Sequence, residues 1–143
     1  FATHGLLSGE IPGLDEPALV MTPGANQDGL LTASEIAEMD LAAELVILSA
    51  CNTNFDSNVD EEGLTGLSTA FLFAGVQSLL VTHWAVDTDV SAFITTRTIE
   101  RYQEEPELGI SSALGYAIDR VRDRPEWDHP AIWAPFSVIG DRR

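Results

Sequence analysis

The chain contains no lysine. Its seven positive side chains are all arginine, set against 23 carboxylates, and the formal net charge is −16 over 143 residues. A surface of that sign repels nucleic-acid phosphates and anionic headgroups, so binding to nucleic acid or to a membrane surface is disfavoured, whereas a cationic substrate or partner is attracted. General acidity of a salt-tolerant or bacterial proteome is the plainer reading of the same number. Cysteine is almost absent: Cys51 stands alone. That excludes an intrachain disulfide, and with three histidines the chain has too few ligands for a structural zinc site, so no metal or cofactor is expected. Long apolar runs are missing as well; Ala70–Val76 and Ser78–Val81 are too short to span a bilayer. The chain opens at Phe1-Ala2-Thr3 with no charged-then-apolar leader and reads as a piece of a longer protein, so targeting signals could lie outside it. What is present, 45% hydrophobic and 21% charged residues, is globular and sufficient for one core.

The elements alternate along the chain. Phe1–Thr3 reads as the tail of a strand and Ala18–Met21, bounded by Pro17 and Pro23, as a short strand. Thr32 followed three residues later by Glu35 is a capping-box pattern, which predicts a short helix. Leu45–Ala50 and Gln77–Thr82 are apolar runs of the kind found in strands covered on both faces. Between them, Leu64, Leu67, Ala70, Phe71 and Ala74 fall at helical spacing, with Gly75 suited to the C′ position. Val90–Tyr102, opened by Asp87 or Asp89, and a segment capped by Ser111 or Ser112 with Leu114, Ala117, Ile118 and Val121 on one face predict two more helices. Ala134–Ile139 predicts the last strand. This order predicts an α/β sandwich with a mostly parallel sheet, incomplete on its N-terminal side.

In open α/β sheets function gathers at the carboxyl ends of the strands. Three places qualify: Thr3-His4-Gly5, Cys51-Asn52 and His83–Asp89. A lone cysteine is most often a small buried hydrophobe, and a lone histidine says as little. Together they say more, because both follow strand-like segments, with the His first and the two separated by 47 residues, the order and rough spacing of caspase-type dyads.

Seven blocks sharpen this. Phe1-Ala2-Thr3-His4-Gly5, Asp28–Ile36 and Leu48-Ser49-Ala50-Cys51-Asn52-Thr53 resemble the CHAT domain family, as do Glu62-Gly63-Leu64, Ala74-Gly75-Val76, Trp84-Ala85-Val86-Asp87 and Trp133-Ala134-Pro135-Phe136. The resemblance covers essentially the whole chain, residues 1–143, but only the C-terminal half of a complete family domain. It implies a caspase-like three-layer sandwich and a prokaryotic, cytoplasmic cysteine peptidase related to separases, often joined to tetratricopeptide repeats. It further implies that Cys51 is the nucleophile and His4 the general base and acid, with the amides of Gly5 and Cys51 holding the oxyanion. Cleavage after a basic residue would place an acidic group in the segment after the third strand: Asp87 first, then Asp89, with His83 and Trp84 as further substrate-binding candidates. The plainer reading of both aspartates is that they start a helix. Asn52 is read as shaping its loop rather than completing a triad.

Two alternatives stay open. The chain could be a catalytically silent CHAT-like interaction module, or another thiol enzyme such as an acyltransferase on the same nucleophile. An exposed sheet edge would also allow a homodimer. Asn26–Glu35 resembles the latter part of a calcium loop, but Gly24 occupies the first ligand position and Pro23 prevents an entering helix, so a strand–loop–helix is expected there. His129 and Trp133, in "HPAIWAPF", are read as packing residues.

Overall fold

The computed structural model describes residues 1, 3–25, 27–48 and 62–140, with 62–65 described through their backbone alone. Its elements are β1 (Gly5–Leu6), β2 (Ala18–Val20), β3 (Leu30–Thr32), α1 (Ala33–Ala37), β4 (Leu45–Leu48), α2 (Glu62–Phe73), β5 (Ser78–Thr82), α3 (Thr88–Glu104), α4 (Gly109–Arg122), α5 (Pro130–Trp133) and β6 (Phe136–Ile139), with a single 3₁₀ turn at Pro106–Leu108 before α4. Two small sheets form. β1, β2 and β3 are antiparallel; in the other sheet β5 lies between β4 and β6.

All five residues of β5 are buried, and their side chains alternate between two cores. Leu79 and Val81 pack with Leu67, Ala70, Phe71 and Ala74 of α2 and Ile36 of α1. Leu80 packs with Val90 and Ile94 of α3 and Leu114, Ala117 and Val121 of α4. Helices thus cover both faces of the sheet, as a continuous apolar strand requires. Phe71 is fully buried in the first core, worth about 1.5–3 kcal/mol relative to exposure.

The expected α/β architecture is present, but a mostly parallel sheet is not what these strands form. β4 and β5 are parallel, Leu45 opposite Ser78 through Leu48 opposite Val81. β6 runs antiparallel to β5, Thr82 opposite Phe136 and Leu79 opposite Ile139. The reason is the number of helices between the strands. One helix, α2, separates β4 from β5 and returns the chain to the starting end of the sheet. Two long helices, α3 and α4, which run out and back, and the single turn α5 separate β5 from β6, so the chain arrives at the opposite end and must run back.

Local chemistry sets the boundaries. Thr32 caps α1 through a reciprocal box in which Thr32 Oγ1 accepts from the Glu35 amide and the Glu35 carboxylate accepts from the Thr32 amide. Glycine closes α2: Gly75 has φ +97°, and a methyl there would sit 3.1 Å from the Leu41 carbonyl oxygen. On the outer layer, α3 and α4 are stapled by arginines over aromatic rings. Arg124 lies 4.3 Å from the centre of Phe93, and Arg101 of α3 lies 5.2 Å from that of Tyr116 on α4. Among the described residues no helix is long and apolar enough to cross a membrane.

Replacing Gly75 by Ala places a side chain in the left-handed region against Leu41 and is expected to destabilise the chain by about 1–2 kcal/mol. Gly115, inside α4 with open space at its Cβ position, gives the opposite sign: Gly115→Ala raises stability by about 0.5–1 kcal/mol. Urea unfolding midpoints of the two variants check both directions.

Candidate active site

The N-terminal segment joins the two sheets. The Phe1 nitrogen donates to the Ile47 carbonyl at 2.6 Å, which in a parallel ladder would set Phe1 level with Leu48. The Phe1 ring, itself exposed, lies 5.5 Å from that of Phe71, in whose cluster Leu48 packs. Burial beside Ile47 holds the Phe1 amino group below its ordinary value. Two residues later the chain turns toward β2. Thr3 Oγ1 donates to the Val20 carbonyl, and the Val20 amide donates to the His4 carbonyl at 2.8 Å. His4 therefore stands where the backbone leaves the flank of β4 and enters β1, with its side chain exposed.

Gly5 follows within β1, opposite Leu19. In an antiparallel ladder a residue flanked by bonded positions points its N–H and C=O away from the partner strand. The Val20-to-His4 bond puts Gly5 in that position, so its amide turns to the outer edge of β1.

His4 lines an open cleft of about 550 Å³ together with Phe1, Thr3 and Ile47 on one side and α3 on the other. The α3 wall is Thr88, Ser91, Ala92, Thr95 and Thr96, one helical face of small residues, with Val86 just before it. None of these lining residues except His4 has a titratable side chain. The arginines that could have intruded are occupied on the outer helical layer, where Arg97, Arg101 and Arg122 also meet Glu100, Glu105 and Asp119.

The other expected site residues divide. Asp87 is exposed and stands in sequence between the lining residues Val86 and Thr88, but does not itself line the cleft. It also caps α3, its Oδ1 accepting from the Asp89 amide at 2.9 Å. Asp89 lies exposed in the first turn of α3. His83 and Trp84 are directed elsewhere. His83 Nε2 lies 2.8 Å from Ser137 Oγ on β6, and its amide donates to the Pro135 carbonyl. Trp84 Nε1 donates to the Ala131 carbonyl of α5. Neither lines the cleft around His4. Cys51 and Asn52 lie outside the described residues, as does Asn26 of the calcium-loop resemblance. Among the described residues no group of histidines and carboxylates could hold a metal ion.

Residues on which sequence reasoning was silent complete the cleft. Thr88, Ser91 and Thr95, with Ala92 and Thr96 beside them, recur at three- and four-residue intervals, a signal visible only once α3 is known to face His4. His129 is exposed and caps α5, its Nδ1 accepting from the Ala131 amide, while Trp133 packs half-buried against the second core and its Nε1 donates to the Asp128 carbonyl.

A profile of the CHAT domain family matches residues 1–141, and the chain belongs to that family. Among curated proteins, it is 34% identical over 116 residues to tetratricopeptide repeat protein 28 of Homo sapiens, covering 80% of this chain. The Mus musculus protein of the same name is 33% identical over 111 residues, covering 78%. The match spans about 4% of the length of each of these relatives. Both organisms are animals, so these relatives give no support to the expected prokaryotic setting.

The capping role of Asp87 gives a direct check. Asp87→Ala removes the cap and is expected to lower stability by about 1 kcal/mol, whereas Asp87→Asn keeps an acceptor oxygen and loses little. Thermal or urea unfolding of the two variants separates them.

Proposed function

We propose that the chain is the core of a cysteine endopeptidase in which His4 and Cys51 form the catalytic dyad. The observation that carries this reading is the hydrogen bond from Phe1 to Ile47. It would align Phe1 with Leu48, and His4 and Cys51 each follow three residues later in the sequence. Membership of the CHAT family supports the same pair.

In the proposed reaction His4 takes the thiol proton and the Cys51 sulfur attacks the scissile carbonyl. The oxyanion that forms is held by the amides of Gly5 and Cys51. As the C–N bond breaks, His4 returns its proton to the leaving amine, giving an acyl-enzyme. Water, deprotonated by His4, then releases the new carboxyl terminus and restores the thiol. The cleft between His4 and α3 receives the chain of the substrate. A basic residue before the scissile bond would be met by Asp87, whose sequence neighbours line that cleft, with Asp89 behind it. The acidity of the whole chain favours the same substrates.

Tetratricopeptide repeats are proposed as the regulatory context, in the same chain or a partner, because the curated relatives carry that name. A cytoplasmic location accords with that context. The names also favour a second reading, a CHAT-fold interaction module without turnover. The two are separated by assaying fluorogenic peptides ending in Arg or Lys with the protein that carries this chain. The peptidase reading expects turnover that falls by a factor on the order of 10²–10⁴ in His4→Ala and is lost in Cys51→Ala. It also expects Asp87→Asn, which spares the cap, to reduce kcat/KM for those peptides by about tenfold or more. Turnover unchanged by Cys51→Ala contradicts the dyad.

A further inference from the structure

The end of the molecule opposite His4 carries a second feature, independent of any peptidase activity. Phe73, at the C-terminus of α2, is 79% exposed, and Leu72 and Met39 are exposed beside it. Backbone contacts bring the three together. The Leu41 amide donates to the Ala74 carbonyl at 2.7 Å, and the Gly75 Cα approaches the Leu41 carbonyl so closely that an added methyl would lie 3.1 Å from its oxygen. Residues 39–41 therefore adjoin 72–75. Isolated exposed apolar side chains are ordinary, but an adjoining group with a polar rim marks an interaction surface.

Among the described residues the rim has one sign. Glu38, Asp40 and Glu44 are exposed on the segment that leaves α1, and the Glu44 carbonyl accepts from Ser78 at the start of β5. A second copy of the chain is thus a poor occupant, because two such patches would bring like-charged carboxylates together. The chain's own described arginines cannot answer them either: Arg97, Arg101, Arg120, Arg122 and Arg124 all lie over aromatic rings of the α3–α4 layer, beyond the opposite face of the sheet. We infer that this end of α1 and α2 is a docking site for a cationic amphipathic helix of a partner protein. Its apolar stripe covers Phe73, Leu72 and Met39, and its flanking Lys or Arg side chains pair with Glu38, Asp40 and Glu44. Docking there leaves the His4 cleft open, since α2 ends at the start of β5 and α3 begins after its finish.

The probe is a designed peptide whose helical form carries leucines along one face and lysines along the other, titrated against the chain by fluorescence anisotropy. Saturable binding is expected. The double substitution Phe73→Ser with Met39→Ser should weaken it by about tenfold or more, as removal of a central apolar anchor does. Glu38→Gln with Asp40→Asn should weaken it and flatten its dependence on salt. Glu104→Gln with Glu107→Gln, on the far helical layer, should change nothing. Both serine positions are exposed, so an unaltered unfolding midpoint verifies that the variant is folded; Phe73→Ala alone gives a milder second test. Equal binding by wild type and the serine variant overturns the proposal, as does equal weakening by the distant glutamine pair. A concentration-dependent dimer abolished by Phe73→Ser would overturn it too, by assigning the patch to self-association.

Discussion

Everything in this molecule is referred to the burial of β5. A strand of five residues with no exposed side chain must be covered on both faces and paired on both edges, and each requirement recruits a different part of the chain. Leu79 and Val81 draw in α1 and α2; Leu80 draws in α3 and α4. β4 and β6 take the two edges. The consequence for function is positional. β4 is held parallel to β5 with its C-terminus at the same edge, and the Phe1 segment is laid along its other side. His4 is thereby placed at the end of the sheet where β4 and β5 both finish, beside the cleft that faces α3.

Charge is distributed unevenly around that frame. The described arginines lie on the outer helical layer, where Arg101 and Arg124 rest on aromatic rings between α3 and the α4 end, and Arg122 rests on Trp133 of α5. The cleft beside His4 is left with hydroxyls and small apolar groups, and the opposite end of α1 and α2 with carboxylates around an apolar centre. The two ends therefore offer different chemistry: one an open cleft of hydroxyls and small apolar groups beside an exposed imidazole, the other exposed apolar side chains among carboxylates. Their separation by the length of β5 lets one be occupied without obstructing the other.

How far the sequence foretold this depended on whether information was local. The capping box at Thr32 and Glu35, the helical spacing of Leu67, Ala70, Phe71 and Ala74, and the glycine stop at Gly75 are written within a few residues and appear in the structure as expected. The strand Gln77–Thr82 was legible because burial on both faces leaves an unbroken apolar run. The direction of β6 was not, since it depends on counting two helices between strands rather than on any residue in β6. β1 and β3 were missed because two or three residues carry no alternation to detect and neither has the flanking prolines that delimit β2. At the cleft, His4 was singled out by pattern and Asp87 was legible as the residue that opens α3, while the threonine wall of α3 becomes visible only in three dimensions. The cap formed by His129 ahead of Pro130 had a local signal that went unused, a proline at the first helical position.

The reading of this chain as a peptidase core stands on one juxtaposition, His4 beside the thiol of Cys51. Because Cys51 is the only cysteine, its reactivity can be followed without interference. The decisive measurement is the rate of iodoacetamide alkylation against pH for the wild-type chain and for His4→Ala. A thiolate stabilised by a neighbouring imidazolium reacts at a pH well below the ordinary thiol value of about 8.5. We predict such an inflection in the wild type and its return to the ordinary value in His4→Ala. Superimposable profiles, or a thiol in the folded chain that does not react at any pH, would contradict the account.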